Sequence, residues 1–130
     1  MAIFIFVMLE ILFLSWIGQR ANAGEARYME KDYQKKWCAE HGGRTEVVLD
    51  DHTRVDCLTD EYAIEFDFAR KWAEAIGQAR HYAVKTRKRP GIVLIIEDES
   101  EYRFLWRLLN SIRGDRKQWS VWVIGPWYLK

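Results

Sequence analysis

From residue 26 onward, the apolar positions alternate between a helical period near 3.6 and the two-residue period of a strand. Residues 26–41 predict a helix with Tyr33 and Trp37 on one face, and Gly42-Gly43 is a fitting stop because glycine accepts the left-handed cap conformation. Residues 45–49 and 54–58 read as hairpin strands around the turn residues Asp50-Asp51-His52-Thr53. Residues 62–69 follow as a third strand, with Tyr62, Ile64, Phe66 and Phe68 on one face and Ala63, Glu65 and Asp67 on the other. A helix is predicted over 70–86, with Trp72, Ile76, Ala79 and Ala83 as its apolar stripe. The unbroken apolar run Gly91-Ile92-Val93-Leu94-Ile95-Ile96 has the length of a central, doubly buried strand over 91–97. A helix over 100–112 buries Phe104, Leu105, Leu108, Leu109 and Ile112; a polar turn over 114–118 leads to a last strand over 119–124. The order α-β-β-β-α-β-α-β predicts a mixed α/β sheet flanked by helices.

Residues 1–23 break this pattern. Ile3 to Ile17 is almost continuously apolar, interrupted by Glu10, and Ala21-Asn22-Ala23 has the small-residue form of a signal-peptidase site, with cleavage expected before Gly24. The segment carries no Lys or Arg ahead of the apolar run, and Glu10 is costly inside a hydrophobic stretch. It therefore reads as a cleaved signal peptide, as a retained membrane anchor, or as a stretch with no targeting role. Export to a periplasmic or secreted location, or membrane tethering, follows from the first two readings, and a cytoplasmic location from the third. Residues 24–130 are then a single domain.

Composition narrows the chemistry. Twenty Lys and Arg against nineteen Asp and Glu give a net charge of +1, so any attraction to phosphate must come from a local patch. Three scattered histidines and two cysteines offer no zinc spacing. Cys38 and Cys57 pair if the compartment is oxidising and are buried apolar residues if it is not; two cysteines provide no pattern that decides.

The candidate chemistry lies between Arg54 and Tyr82. Asp56 interrupts the strand Val55-Asp56-Cys57, where an acid needs a metal, a cation or water. Glu65 and Asp67 project from one side of the next strand. On an ordinary half-exposed strand that side is a solvated acidic edge, but adjacent acids repel unless a cation joins them. On the following helix Lys71, Gln78 and Tyr82 fall within roughly 40° of one another, a polar stripe apart from the apolar one. Hard carboxylate oxygens suit Mg²⁺ or Mn²⁺, and a nearby cation suits charge developing on a phosphate.

These residues and their order resemble the PD-(D/E)xK nuclease superfamily, which includes restriction endonucleases and Holliday-junction resolvases. The resemblance implies a restriction-endonuclease-like αβββαβ core over most of the chain, extended here by a C-terminal helix and strand. It implies that Asp56 in Arg54-Val55-Asp56 and Glu65 in Ala63-Ile64-Glu65-Phe66-Asp67 bind the metal, with Asp67 beside them, and that Glu30 and Tyr82 support the site. Gln78 and Tyr82 match the Q-x-x-x-Y element of some branches. The family lysine belongs at position 67, where Asp67 stands, and Lys71 is the candidate for a lysine moved to the helix. The implied catalytic set is Asp56, Glu65, Lys71 and Gln78, the implied cofactor Mg²⁺ or Mn²⁺, and the implied partner nucleic acid.

Each element also has a plainer reading. Gln78 and Tyr82 form an exposed i,i+4 pair, and Glu30 sits on a polar helix face. The basic connector with Lys85, Arg87, Lys88 and Arg89 is either a ridge that contacts phosphates or a solvated helix end. The aromatics Trp119, Trp122, Trp127 and Tyr128 either stack on bases or pack the sheet edge. Two functions remain: a metal-dependent phosphodiesterase acting on nucleic acid, or an inactive nuclease-fold protein serving as an exported binding or structural module. Asp67 in the lysine position and the near-zero charge favour the second.

Overall fold

The computed structural model describes residues 27–130, so the leader reading of residues 1–23 concerns positions outside those described. Helix α1 (Glu30–Glu40) leads into strands β1 (Arg44–Val48), β2 (Arg54–Leu58) and β3 (Tyr62–Phe68). Helix α2 (Trp72–Thr86), strand β4 (Arg89–Ile95), helix α3 (Tyr102–Ser111) and strand β5 (Ser120–Ile124) complete the chain, with short 3₁₀ turns between several of them. The strands form one five-stranded sheet in sequence order. β1, β2 and β3 pair antiparallel, whereas β3–β4 and β4–β5 are parallel, with α2 and α3 as the crossovers. The fold is α/β, with a mixed sheet flanked by helices.

The sheet is covered on both faces. On one, Tyr33, Trp37 and Cys38 of α1 pack on Ile64, Phe66, Val93 and Ile95. On the other, Ala75 and Ala79 of α2 and Leu108 with Ile112 from α3 and its end pack on Ile92 and Leu94. Strand β4 is buried from Pro90 through Ile95, as its unbroken apolar run requires, and parallel partners on both sides leave it no edge. It begins two residues earlier than the run suggests, because the Arg89 N–H donates to the Glu61 carbonyl at 3.0 Å. Pro90, without an N–H, is tolerated near the strand start.

Several local boundaries differ from the periodicity. α1 starts at Glu30, capped by Asp32, whose side chain accepts the Met29 N–H at 2.8 Å. Residues 69–71 form a 3₁₀ turn, so Lys71 is the N-cap of α2 and not a residue of its first turn. The helical projection that grouped Lys71 with Gln78 and Tyr82 therefore does not hold. Tyr82, placed on a polar stripe by periodicity, is 6% exposed and packs against Val55 and Ala63. The inward face of α2 is Ala75, Ala79, Tyr82 and Ala83, rotated from the expected stripe.

Cys38 and Cys57 form a disulfide, with their Cα atoms 5.8 Å apart. It fastens α1 to β2 at the residue next to Asp56. Gly43 passes directly over it: a Cβ there would lie 2.5 Å from Cys57 Sγ and 2.7 Å from Cys38 Sγ. No described helix is long and apolar enough to cross a membrane.

Candidate active site

One cleft of about 760 Å³ gathers most of the chemistry anticipated from the sequence. Glu30, Asp56, Glu65, Asp67, Lys71, Gln78 and Tyr82 all line it, drawn from α1, β2, β3 and α2. The cleft opens where β2 parts from β3. Their pairing is registered only at Cys57–Ile64 and Leu58–Ala63. Beyond that point the Asp56 carboxylate itself accepts the Phe66 N–H at 2.8 Å, in place of a main-chain acceptor. An acid in mid-strand is thus held by the neighbouring strand's backbone.

Glu65 and Asp67 are 5% and 4% exposed, so this side of β3 is not the solvated edge that an ordinary half-exposed strand would present. Glu65 Oε2 and Asp67 Oδ1 are buried with no hydrogen-bond partner among the described residues. Such groups cost free energy unless something satisfies them. Burial and the adjacent Asp56 carboxylate push Glu65 far above the usual carboxylate range. Burial raises Asp56 as well, opposed by its hydrogen bond from Phe66. Asp67 is pushed up to about 6, by burial, with Lys71 acting against the rise. Glu30 is pushed up to about 7, by burial first and then by Asp56 and Asp67, again against Lys71. The Tyr82 hydroxyl is raised by burial and by the Glu65 and Asp56 charges. Four carboxyl groups raised together mark a site short of positive charge.

Lys71 is exposed at the cleft wall. Its charge is felt by Glu30 and Asp67, yet it makes no ion pair within 4.0 Å with either among the described residues. Gln78 is exposed on the same wall.

The cleft also holds residues the sequence reading missed. Glu46 and Glu74 add two carboxylates; Lys31, His52, Thr53 and Arg54 stand around them. Glu46 lies opposite Asp56 in the β1–β2 register and takes a left-handed φ of 57°, interrupting the ladder, while its carboxylate pairs with Arg54 at 2.9 Å. Two acids facing each other across an antiparallel hairpin were the available signal. The hairpin tip is tied to α2 by Asp51–His81 at 2.6 Å and Asp50–Lys85 at 2.5 Å.

The basic connector is not part of the cleft lining. Lys85 pairs with Asp50, Lys88 Nζ donates to the Asp60 carbonyl, and Arg89 pairs with Glu61 and stacks over Tyr62. Arg87 is exposed at the left-handed end of α2. Of the aromatics, Trp119 is buried, Trp122 packs edge-on against Trp37 and Tyr62, and Tyr128 bonds Glu40, leaving Trp127 exposed.

No protein-family model, curated protein or solved structure matches the chain.

Among the described residues, no group of three or more His, Cys, Asp or Glu side chains is already arranged to hold a metal ion. The donor set nonetheless suits a hard divalent cation. Its atoms are carboxylate oxygens, two of them buried and unpartnered, and Mg²⁺ is typically held by one or two carboxylates with water and substrate phosphate completing its shell.

Proposed function

We propose that this chain is a metal-dependent phosphodiesterase of the PD-(D/E)xK type that acts on nucleic acid. The observation that carries the proposal is the meeting of Asp56, Glu65, Asp67 and Glu30 with Lys71, Gln78 and Tyr82 in one cleft. The order of α1, three antiparallel strands, α2 and a parallel β4 supports a restriction-endonuclease-like core.

In this reading Asp56 and Glu65 hold Mg²⁺ or Mn²⁺. When bound, the ion supplies Lewis-acid polarisation of the scissile phosphate and a water of lowered pKa. Lys71 faces the negative charge that grows on the phosphoryl oxygens. Glu30, with its value near 7, is suited to take up a proton from the attacking water at neutral pH. The Tyr82 body holds the floor against Val55 and Ala63, and Gln78 offers its amide to the substrate side. Lys31 and Arg54 on the cleft wall, more than the distant connector, are positioned to meet phosphates. The disulfide supports an exported location, since such bonds persist in oxidising compartments.

The test is cleavage of plasmid, linear and single-stranded DNA and of RNA by the purified chain, with Mg²⁺, Mn²⁺ or EDTA. Cutting that needs metal and disappears in Asp56→Ala is expected. Cutting that survives Asp56→Ala rules out this mechanism. Absence of cutting on every substrate favours the binding or structural module, a reading motivated by Asp67 in the lysine position and by the exposure of Lys71.

A further inference from the structure

Glu65 and Asp67 are two residues apart on the same face of β3, which separates their Cα atoms by about 7 Å. Each carries one buried carboxylate oxygen without a partner, Glu65 Oε2 and Asp67 Oδ1. Their surroundings differ. Glu65 is dominated by Asp56, whereas Asp67 feels Lys71 and Glu74 ahead of Asp56, and Glu30 feels Asp67. The acids thus fall into two groups along the strand, one around Glu65 and one around Asp67.

We propose that the cleft binds two divalent cations, and that Asp67, with Glu74 and Glu30 beside it, forms the second cation subsite where a lysine would otherwise stand. This rests on the phosphodiesterase reading and deepens it. Paired catalytic ions lie about 3.5–4 Å apart. With metal–oxygen distances of about 2.0–2.1 Å, such a pair fits between carboxylates separated by two strand residues.

Charge points the same way. Six carboxylates line the cleft against three fixed cations, Lys31, Arg54 and Lys71, a formal balance of −3 when all are ionised. One divalent ion leaves −1, which still repels a phosphodiester. Two give +1, and the cleft becomes attractive to phosphate. Lys71 does not complete the site alone, because it forms no ion pair with Asp67 within 4.0 Å and leaves Asp67 Oδ1 unpartnered.

The experiment is a titration of the metal-free full chain with Mn²⁺, counted by calorimetry and by electron paramagnetic resonance of the free ion. Two ions per chain are expected for the wild type and one for Asp67→Asn. Glu74 is exposed on α2, so Glu74→Gln keeps the fold and is expected to weaken the second ion by about tenfold or more. Lys71→Met removes a competing charge and should tighten that ion several-fold. A single ion in the wild type, lost in Asp56→Asn but untouched by Asp67→Asn, overturns the second subsite and leaves the phosphodiesterase reading standing. Two ions persisting in both Asp67→Asn and Glu74→Gln also overturn it. No ion at all overturns both.

Discussion

Asp56 Oδ2 accepts the main-chain N–H of Phe66 at 2.8 Å, so the best candidate metal ligand is also a structural acceptor between β2 and β3. The two roles separate by substitution. Asp56→Asn retains an oxygen for the Phe66 N–H, whereas Asp56→Ala leaves that donor without its partner. Asp56→Ala is expected to be less stable than Asp56→Asn by about 1–3 kcal/mol in EDTA, with both losing metal-dependent cleavage. Urea denaturation of the two variants checks this, and equal stabilities contradict it.

The pH dependence of the metal-free chain follows from the cleft carboxyls. Glu30 at about 7, Asp67 at about 6 and the raised Glu65 all lie above their model values of 4.5, 3.8 and 4.5. The folded state therefore holds more protons than the unfolded state once pH exceeds about 4, and unfolding free energy falls as pH rises through 6 and 7. Asp51, lowered to about 2 first by its hydrogen bond from Thr53, acts oppositely and loses its contribution as pH drops toward 2. Thermal melts in EDTA should peak near pH 4–5 and decline above it, with Mg²⁺ flattening the decline. A melting temperature that climbs from pH 5 to 8 in EDTA contradicts the buried acid cluster.

The disulfide and Gly43 form one packing unit. Reducing Cys38–Cys57, which encloses a sequence separation of 19, is expected to cost roughly 3 kcal/mol. Gly43→Ala pushes a methyl group into both sulfurs and should destabilise the oxidised chain by about 1–3 kcal/mol. In a Cys38→Ala/Cys57→Ala background the sulfurs are gone, so most of that penalty should vanish. A double-mutant cycle by denaturation measures the coupling; additive effects refute the contact.

Lys71 is exposed and makes no ion pair within 4.0 Å, so Lys71→Ala should leave stability within about 0.5 kcal/mol of wild type. Its proposed role predicts a fall in kcat of about 10²–10³, with metal affinity maintained or improved. Normal turnover in this variant removes Lys71 from the mechanism.

Glu46 holds a φ of 57° in β1 and adds negative charge beside Asp56. Its ion pair with Arg54 is exposed and contributes little. Glu46→Gly relieves the left-handed backbone and is expected to stabilise the metal-free chain by about 1 kcal/mol. Loss of stability instead shows that the Glu46 side chain supports the hairpin.

The sequence alone determined the element order and the central strand, because period and turn residues are local properties. The Ile92–Ile96 run cannot be solvated on either side, and Gly42, with φ of 66°, ends α1 where the pattern predicts. It also singled out Asp56, Glu65 and Asp67, since acids among strand apolars are conspicuous without any coordinates. Tertiary structure decided the rest. Whether Cys38 meets Cys57 depends on how α1 lies across β2, and spacing carries no such information. The burial of Tyr82, the addition of Glu46 and Glu74 to the cleft, and the separation of the basic connector from it arise from the parting of β2 and β3 and the angle of α2. Periodicity assigns a residue to a face; only the packing of several elements decides what that face meets.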